Sequence, residues 1–517
     1  MADRAQPIKR ALGVAVSLGI LAILAGALLA VAFRAEQGSG LGPSDWAAIR
    51  FTVLQATLSA LISVALAVPA ARALARRDFP LRKLALVFLG APFLLPVLVA
   101  TMGLLAVFGR SGLVSAVTVA LGLPPLQIYG LHGVVLAHVF FNLPLATRMV
   151  LQGWQSIPAE RLRLAASLGF SPRDMQRHLE WPMLRTVLPG AALVIFLISS
   201  TSFAVALVLG GGPGATTVEL AIYQAFRFDF DLGKAAMLAG VQAVICALAV
   251  LASRAVPVPM GVGAGLGRTR PEIAPRGLFY LVFDGSVILV LLLFLLIPLT
   301  MIVLSGLPGL GQVPVQAFEA ALRSLGVALG SVLFTLALAL PLAFGIARRS
   351  LLADLAGSLP IAVSPLVIGL GGFILLFPIV DPRAVALPVT AVVNALMSLP
   401  FVVRILAPHA RRIVDEDSRL AESLAIRRWD WVRIVAWPRL RPALGFAAGL
   451  TAALSMGDLG VVVLFADVER GTLPFTLYQL MGAYRMEAAQ GVALLLLGLS
   501  LALFWLFDVW GRNRAAI

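Results

Sequence analysis

The sequence predicts an all-α integral membrane protein of twelve transmembrane helices, arranged as two parallel six-helix repeats. Three observations predict it. Hydrophobic residues make up 60% of the 517, charged residues only 13%, and mean hydropathy is +0.98, outside the range of soluble domains. The apolar residues come in long blocks, and lipid offers the backbone no hydrogen-bond partner, so such blocks must be helical. Finally, a segment recurs after 256 residues. Arg163-Leu164-Ala165-Ala166-Ser167-Leu168-Gly169 precedes Trp181-Pro182, and Arg419-Leu420-Ala421-Glu422-Ser423-Leu424-Ala425 precedes Trp437-Pro438. Upstream, Leu143, Pro144 and Arg148 return at the same offset as Leu399, Pro400 and Arg404.

About 20 apolar residues cross a bilayer. In order, the blocks fall near 11–33, 52–71, 84–108, 130–151, 187–210, 233–253, 278–305, 321–347, 352–378, 385–404, 443–466 and 487–510. The first follows Arg4, Lys9 and Arg10, as in a signal peptide. Its apolar run exceeds the usual signal core of roughly 7–15 residues, so it reads as a retained helix. With that end inside, 31 of the 40 lysines and arginines fall on inner segments, and nine, including Arg34, Arg50, Arg227 and Arg485, on outer ones. The net charge of +15 is thus explained by topology and not by nucleic acid. Both termini and both repeated loops are expected in the cytoplasm.

The halves, 1–253 and 278–517, are expected to be joined by a cytoplasmic linker over 254–277. There Pro257, Pro259, four alternating glycines from Gly261 to Gly267, Pro271 and four arginines favour a solvated chain. Six spans per half give both halves the same orientation. A further match, Thr217, Tyr223 and Gln224 with Thr472, Tyr478 and Gln479, stands at an offset of 255. The single cysteine, Cys246, lies inside an apolar block and excludes an intramolecular disulfide and a Cys-based metal site. The four histidines show no ligand spacing, so no metal site is expected.

The repeated loops, about 152–186 and 405–442, read as helix, turn, helix. In the first, Ser156 suits a cap and Pro158 the first turn. Leu162, Ala165, Ala166 and Leu168 follow at spacings near one helical face, Gly169 stops the helix, and Ser171-Pro172 restarts the chain. The second opens on Asp415-Glu416-Asp417, acids that suit a helix N-terminus. One such loop could be an interfacial anchor. Two at corresponding places, with shared sequence detail, point to docking of two copies of a soluble partner.

At these loops the chain resembles the permeases of ATP-binding-cassette importers of type I, whose signature of Glu-Ala-Ala, three residues and Gly marks the coupling helix. Arg163 and Arg419 stand where that family usually has Glu, and Ala425 replaces the second Gly. These departures resemble the fused permeases of iron(III) and thiamine importers. The thiamine and thiamine-pyrophosphate permeases are more similar still, at His138-Val139-Phe140-Phe141-Asn142-Leu143-Pro144, at Gly210-Gly211-Gly212-Pro213 with Thr216 to Gln224, at Ser455-Met456-Gly457-Asp458-Leu459-Gly460, and at Thr472 to Gln479.

The resemblance implies a transport subunit, not an enzyme. Two ATPase subunits would sit under the loops, and a periplasmic substrate-binding protein would dock outside. ATP and magnesium would belong to the partner. The chain's own residues agree, because its three lysines, Lys9, Lys83 and Lys234, follow no Gly-x-x-x-x-Gly pattern. Arg163, Ala165, Ala166, Leu168, Gly169 and their counterparts Arg419, Ala421, Glu422, Leu424 and Ala425 are the expected coupling residues. They would rock the two bundles between inward- and outward-facing states. Alternative cargoes are ferric iron and polyamines. A secondary transporter of the major-facilitator type also has two six-span halves, but residues 72–83 lack that family's basic glycine-rich loop.

Six membrane residues are candidates for the path or a gate. Asp458 sits mid-way along the eleventh block, where charge is costly. It either caps a helix break between Gly457 and Gly460, the favoured reading, or meets a cationic substrate. Its counterpart is Ser202. His138 and Asn142 share a face of the fourth block, with Asn394 and Ser398 as counterparts. Interhelical hydrogen bonds are the simpler role, pathway lining the other. Tyr223 and Tyr478 go with matching outer turns at 210–214 and 467–479, either plain surface turns with a short packed helix, or a gate or docking surface for a periplasmic binding protein. Arg227, Asp229, Asp231 and Arg485 are rim charges suited to steering an approaching protein.

Overall fold

The computed structural model describes residues 10–36, 40–90, 94–254, 277–381, 384–417, 428–465 and 470–512, and every regular element among them is helical. The first half runs α1 (Arg10–Ala35), α2 (Pro43–Arg76), α3 (Arg82–Phe88), α4 (Val97–Phe108), α5 (Leu113–Ala120), α6 (Leu131–Ser156), α7 (Ala159–Ser167) and α8 (Pro172–Met175). A π-turn over Gln176–Glu180 leads into α9 (Trp181–Ser200), α10 (Ala204–Leu209), α11 (Val218–Arg227) and α12 (Leu232–Arg254). The second half runs α13 (Leu278–Gly309), α14 (Val315–Ala347), α15 (Leu351–Ser358), α16 (Pro365–Leu376) and α17 (Ala386–Arg412). After it come α18 (Arg428–Trp431), α19 (Trp437–Met456), α20 (Gly460–Phe465), α21 (Leu473–Gly482) and α22 (Met486–Arg512). The expected linker lies outside the described residues, apart from Arg254 and Gly277.

Ten helical stretches among the described residues are long and apolar enough to cross a membrane. A bent pair, Leu351–Ala362 with Pro365–Leu376 at 99°, makes eleven, not the expected twelve. The eleventh predicted block, 443–466, is the one that departs. α19 opens with Arg439 and Arg441 and stops at Gly457, before α20 starts a separate short helix. The fifth block, 187–210, also breaks, between α9 and α10 at Thr201–Phe203. A window of hydropathy does not register these breaks, because at Thr201–Phe203 the residues are small or apolar and at 457–459 the single acid, Asp458, is averaged with its apolar neighbours.

The starts of these helices have local causes. Pro43 opens α2, and the Asp45 carboxylate takes the Gly42 N–H at 2.8 Å. Ser350, Ser364 and Thr217 cap α15, α16 and α11 through their hydroxyls. Pro144 and Pro400 sit inside the matching helices α6 and α17, each removing one backbone hydrogen bond from the ladder.

The tightest packing joins α2 to α6 and α14 to α17. The first helix of each half crosses to the other. α1 lies against α14, α15 and α16, and α13 lies against α2 and α4. Backbone-close contacts seal both crossings. A Cβ added at Gly371 in α16 would stand 2.4 Å from the Ala27 carbonyl oxygen of α1, and one at Gly103 in α4 would stand 2.7 Å from that of Pro298 in α13. Small residues let helices in lipid approach this closely. One buried apolar cluster therefore runs through both halves, from Ile20 and Leu24 to Leu366 and Leu496.

Candidate functional site

The first repeated loop has three parts, α7, α8 and the π-turn that leads into α9. α7 starts after Pro158, not at a Ser156 cap. Ser156 is the last residue of α6, and its hydroxyl donates back to the Gly153 carbonyl at 2.8 Å. Leu162 and Ala165 are buried, whereas Arg163, Ala166 and Leu168 are exposed, as is Leu164. The expected single apolar face is therefore two faces. One packs on the bundle, and the other presents Leu164 and Leu168, 59% and 64% exposed, to the outside of the chain. Gly169 has φ +66° and closes the helix with two bonds, Gly169 N–H to Ala166 and Phe170 N–H to Ala165, a Schellman arrangement. Ser171 and Asp174 then form a capping box that starts α8.

The second loop is described only at its edges. α17 continues through a π-turn at Ile413–Asp417, and α18 resumes at Arg428. Arg419, Ala421, Glu422, Leu424 and Ala425 lie outside the described residues.

The first repeated loop ends on a buried ion cluster. Glu180, the last residue of the π-turn, holds Arg76 and Arg72 of α2, both at 2.9 Å, with the Glu180 and Arg76 side chains 2% and 3% exposed. Beside it, Arg77 pairs with Asp284 of α13 at 2.7 Å. The sequence reading missed this cluster. The signal available was a break in the repeat, because Glu180 precedes Trp181-Pro182 where Ala436 precedes Trp437-Pro438.

Deep in the bundle, the predicted polar face is engaged in packing. His138 Nδ1 meets the Ser59 hydroxyl at 3.4 Å, and the Asn142 amide donates to Ser199 at 3.2 Å. In the second half, Ser331 meets Ser455 at 2.9 Å, and the Asn394 amide donates to Ser455 at 3.1 Å. All three predicted residues are buried. The halves also share a cross-link. The Thr52 hydroxyl accepts the Val218 N–H, and the Ser324 hydroxyl accepts the Leu473 N–H, each at 2.8 Å. These are the simpler roles expected of His138, Asn142 and Asn394.

Asp458 occupies the break between α19 and α20. Its carboxylate accepts from the backbone N–H of Gly460 and Val461 and from the Asn394 side chain. Its Oδ2 has no partner among the described residues. The helix-break reading is thus met geometrically, and one oxygen remains free beside the junction of the two halves.

Tyr223 and Tyr478 are brought together. Both line a cavity of about 450 Å³ between the start of α2, α10, α11, α12 and α21. Asp45 and Lys234, paired at 3.3 Å, stand in its wall with Gln224, Phe228 and Asp229. This cavity and the Glu180 cluster lie at opposite ends of α2, about 45 Å apart at 1.5 Å per residue. Two exposed aromatics flank this end of the bundle. Phe230 and Tyr484 are 82% and 91% exposed at φ +53° and +57°. That backbone is uncommon for a bulky side chain, and it is repeated at corresponding turns.

Comparison with known proteins adds three findings. Residues 63–256 match the family described as binding-protein-dependent transport system inner membrane component. The chain is 38% identical to the thiamine transport system permease protein ThiP of Escherichia coli (strain K12), over 99% of each chain. It is 38% identical to the protein of that name from Brucella abortus (strain 2308), over 99% of this chain and 97% of the relative. To the one from Salmonella typhimurium (strain LT2) it is 39% identical, over 90% and 88%.

Proposed function

The chain belongs to the thiamine transport system permease family, and on that premise we propose that it carries thiamine or its phosphates across the inner membrane as the fused permease of an ATP-driven importer. The observation that carries this reading is the near-full-length identity to thiamine permeases. It extends beyond the 63–256 match that fits binding-protein-dependent transporters in general.

The chain works as two parallel repeats of six spans, 1–253 and 278–517, with both termini and both repeated loops in the cytoplasm. Supporting this reading, α2, α3, α4, α6 and α9 to α12 have counterparts in α14, α15, α16, α17 and α19 to α22. The matched Thr52–Val218 and Ser324–Leu473 contacts support it too. The broken helices α9–α10 and α19–α20 each make one span with a mid-membrane break. Two ATPase subunits dock beneath the loops, one per repeat. Leu164, Leu168 and Arg163 present the contact surface of the first, and the second uses Arg419, Ala421, Glu422, Leu424 and Ala425. At the opposite face, Phe230 and Tyr484 with their rim charges receive the substrate-binding protein. The lever then works through Glu180. Closure of the ATPases pushes α7, the π-turn passes the displacement to α9, and the ion cluster carries it to α2.

The test uses the one native thiol. Cys246 is fully buried, so an Ala166→Cys chain presents a single reactive sulfur. Assembled with its ATPase, it should crosslink to that subunit and should import labelled thiamine in a deletion strain. Uptake without any crosslink from position 166 refutes the docking assignment. A crosslink with no thiamine uptake, and uptake of another cargo, refutes the substrate.

A further inference from the structure

We infer that the cavity between Tyr223 and Tyr478 is a holding site for an aromatic organic cation, placed at the end of the bundle opposite the levers. The inference rests on the proposed cargo, whose thiazolium ring is a permanent cation, and extends it to named residues.

The cavity's size, about 450 Å³, falls within the range of ~300–1,000 Å³ typical of small-molecule sites. Its wall is aromatic on two sides. Tyr223 and Phe228 stand edge to face with ring centroids 5.6 Å apart, and Tyr478 closes the wall from the second half. Phe203 buttresses Tyr223 from behind at 5.3 Å. Aromatic faces attract cations within about 6 Å of the ring centre.

The charges also favour a cation. Asp45 is engaged twice, with Lys234 and with the Gly42 N–H, so its charge is largely offset within the wall. Asp229 is exposed at the rim and makes no ion pair among the described residues. The wall therefore has one carboxylate, Asp229, outside any ion pair among the described residues, beside three aromatic rings, with Arg227 nearby at the rim. A cation gains from both the charge and the ring faces, whereas a neutral aromatic solute gains only the ring contacts.

The site also occurs once, although the frame occurs twice. At the matching places in the second half, Asp45 and Lys234 are replaced by Ala317 and Ala488, Phe228 by Ala483, and the turn that carries Asp229 is one residue shorter, without an acid. Only the tyrosines recur, and the fold brings both to this one cavity. A repeated structural element would have kept both copies of its charges; a single ligand needs one.

The experiment measures binding of labelled thiamine to the full chain, assembled with its ATPase in nanodiscs without the binding protein. Wild type should bind saturably, with oxythiamine and benzyltrimethylammonium competing and neutral thiochrome failing to compete. Asp229→Asn and Tyr478→Leu should each weaken binding about tenfold, whereas Tyr478→Phe should bind like wild type because the ring face is kept. Asp229 is exposed, so its variant tests the charge without disturbing the core. Equal binding by wild type, Asp229→Asn and Tyr478→Leu overturns the inference. So does thiochrome competing as well as benzyltrimethylammonium. If the complex fails to import thiamine yet benzyltrimethylammonium binding still drops in Asp229→Asn, the site stands and the cargo assignment falls.

Discussion

Replacing Glu180 with alanine should loosen the first lever from the bundle. Among the described residues Glu180 is the acid that Arg76 pairs with, at 2.9 Å, and both side chains are almost wholly enclosed. Removing one partner of a buried pair leaves an uncompensated charge, at a cost of about 3–5 kcal/mol. Asp284, held by the adjacent Arg77, lies close enough to soften this, so the lower end, about 3 kcal/mol, is expected. Each 1.4 kcal/mol is tenfold, so local opening should become roughly a hundredfold more frequent. Hydrogen exchange of the backbone amides over 176–181 reads that opening directly. A paired variant, Arg76→Met with Glu180→Met, removes the two enclosed charges and leaves Arg72, 27% exposed, to solvent; it should recover most of the loss, since apolar replacement of a buried pair is often neutral. Uptake per ATP should fall in Glu180→Ala and return in the pair. Exchange in Glu180→Ala within about twofold of wild type, or a double variant no better than the single, refutes the reasoning.

Three further outcomes follow from the same contacts. Gly371→Ala drives a Cβ into the α1 backbone and should cost about 1–3 kcal/mol, seen as lower monodispersity after extraction; Gly372→Ala, with nothing within 4 Å, should be neutral. Leu168→Asp, on an exposed side chain, should leave stability within about 0.5 kcal/mol yet cut uptake and stimulated ATPase activity at least tenfold, with normal uptake counting against a docking role. Asp458→Ala should lose about 1 kcal/mol through the unmade bonds to Gly460 and Val461, while Asp458→Asn should keep uptake within about threefold; equal loss in both would make the charge itself essential.

Much of the frame was legible because its causes are written locally. The stop at Gly169 and the restart at Ser171-Pro172 act within a few residues and are found as expected, the restart as a capping box; the cap expected at Ser156 is not, because that residue still belongs to α6. Asp458 was legible for the same reason, as an acid beside two glycines at a helix break. What the sequence concealed depends on contacts between distant segments. Glu180 and Arg76 are 104 positions apart, so periodicity gives no hint that they meet. The two faces of α7 were misread because Leu164 and Leu168 are apolar yet exposed, and hydropathy alone cannot distinguish a face buried by this chain from one left for a partner. The crossing of α1 and α13 between halves is also invisible, since nothing in an apolar helix names its neighbour.

The halves share geometry and differ in chemistry. Matching helices, prolines and hydroxyl cross-links recur, but the buried acid at the lever is Glu180 on one side and Ala436 on the other. The cavity charges Asp45 and Lys234 likewise have alanines, Ala317 and Ala488, as their counterparts, and the turn equivalent to that of Asp229 has no acid. A rigid lever needs a buried ionic contact on only one side if the two sides move relative to each other. A matched pair of such contacts would add a second desolvation cost of several kcal/mol without adding directionality. One solute at a time, passing along the junction between similar bundles, likewise meets one charged wall. Restoring symmetry should therefore be harmful in a specific way. Ala436→Glu puts an acid at the position equivalent to Glu180, in a half where Arg348 and Arg349 stand at the positions equivalent to Arg76 and Arg77. If the argument holds, it should slow uptake while leaving thiamine binding unchanged, because it stiffens the second lever. Faster uptake in that variant would mean that the missing acid is a defect of the second copy, and the asymmetry would have no mechanical role.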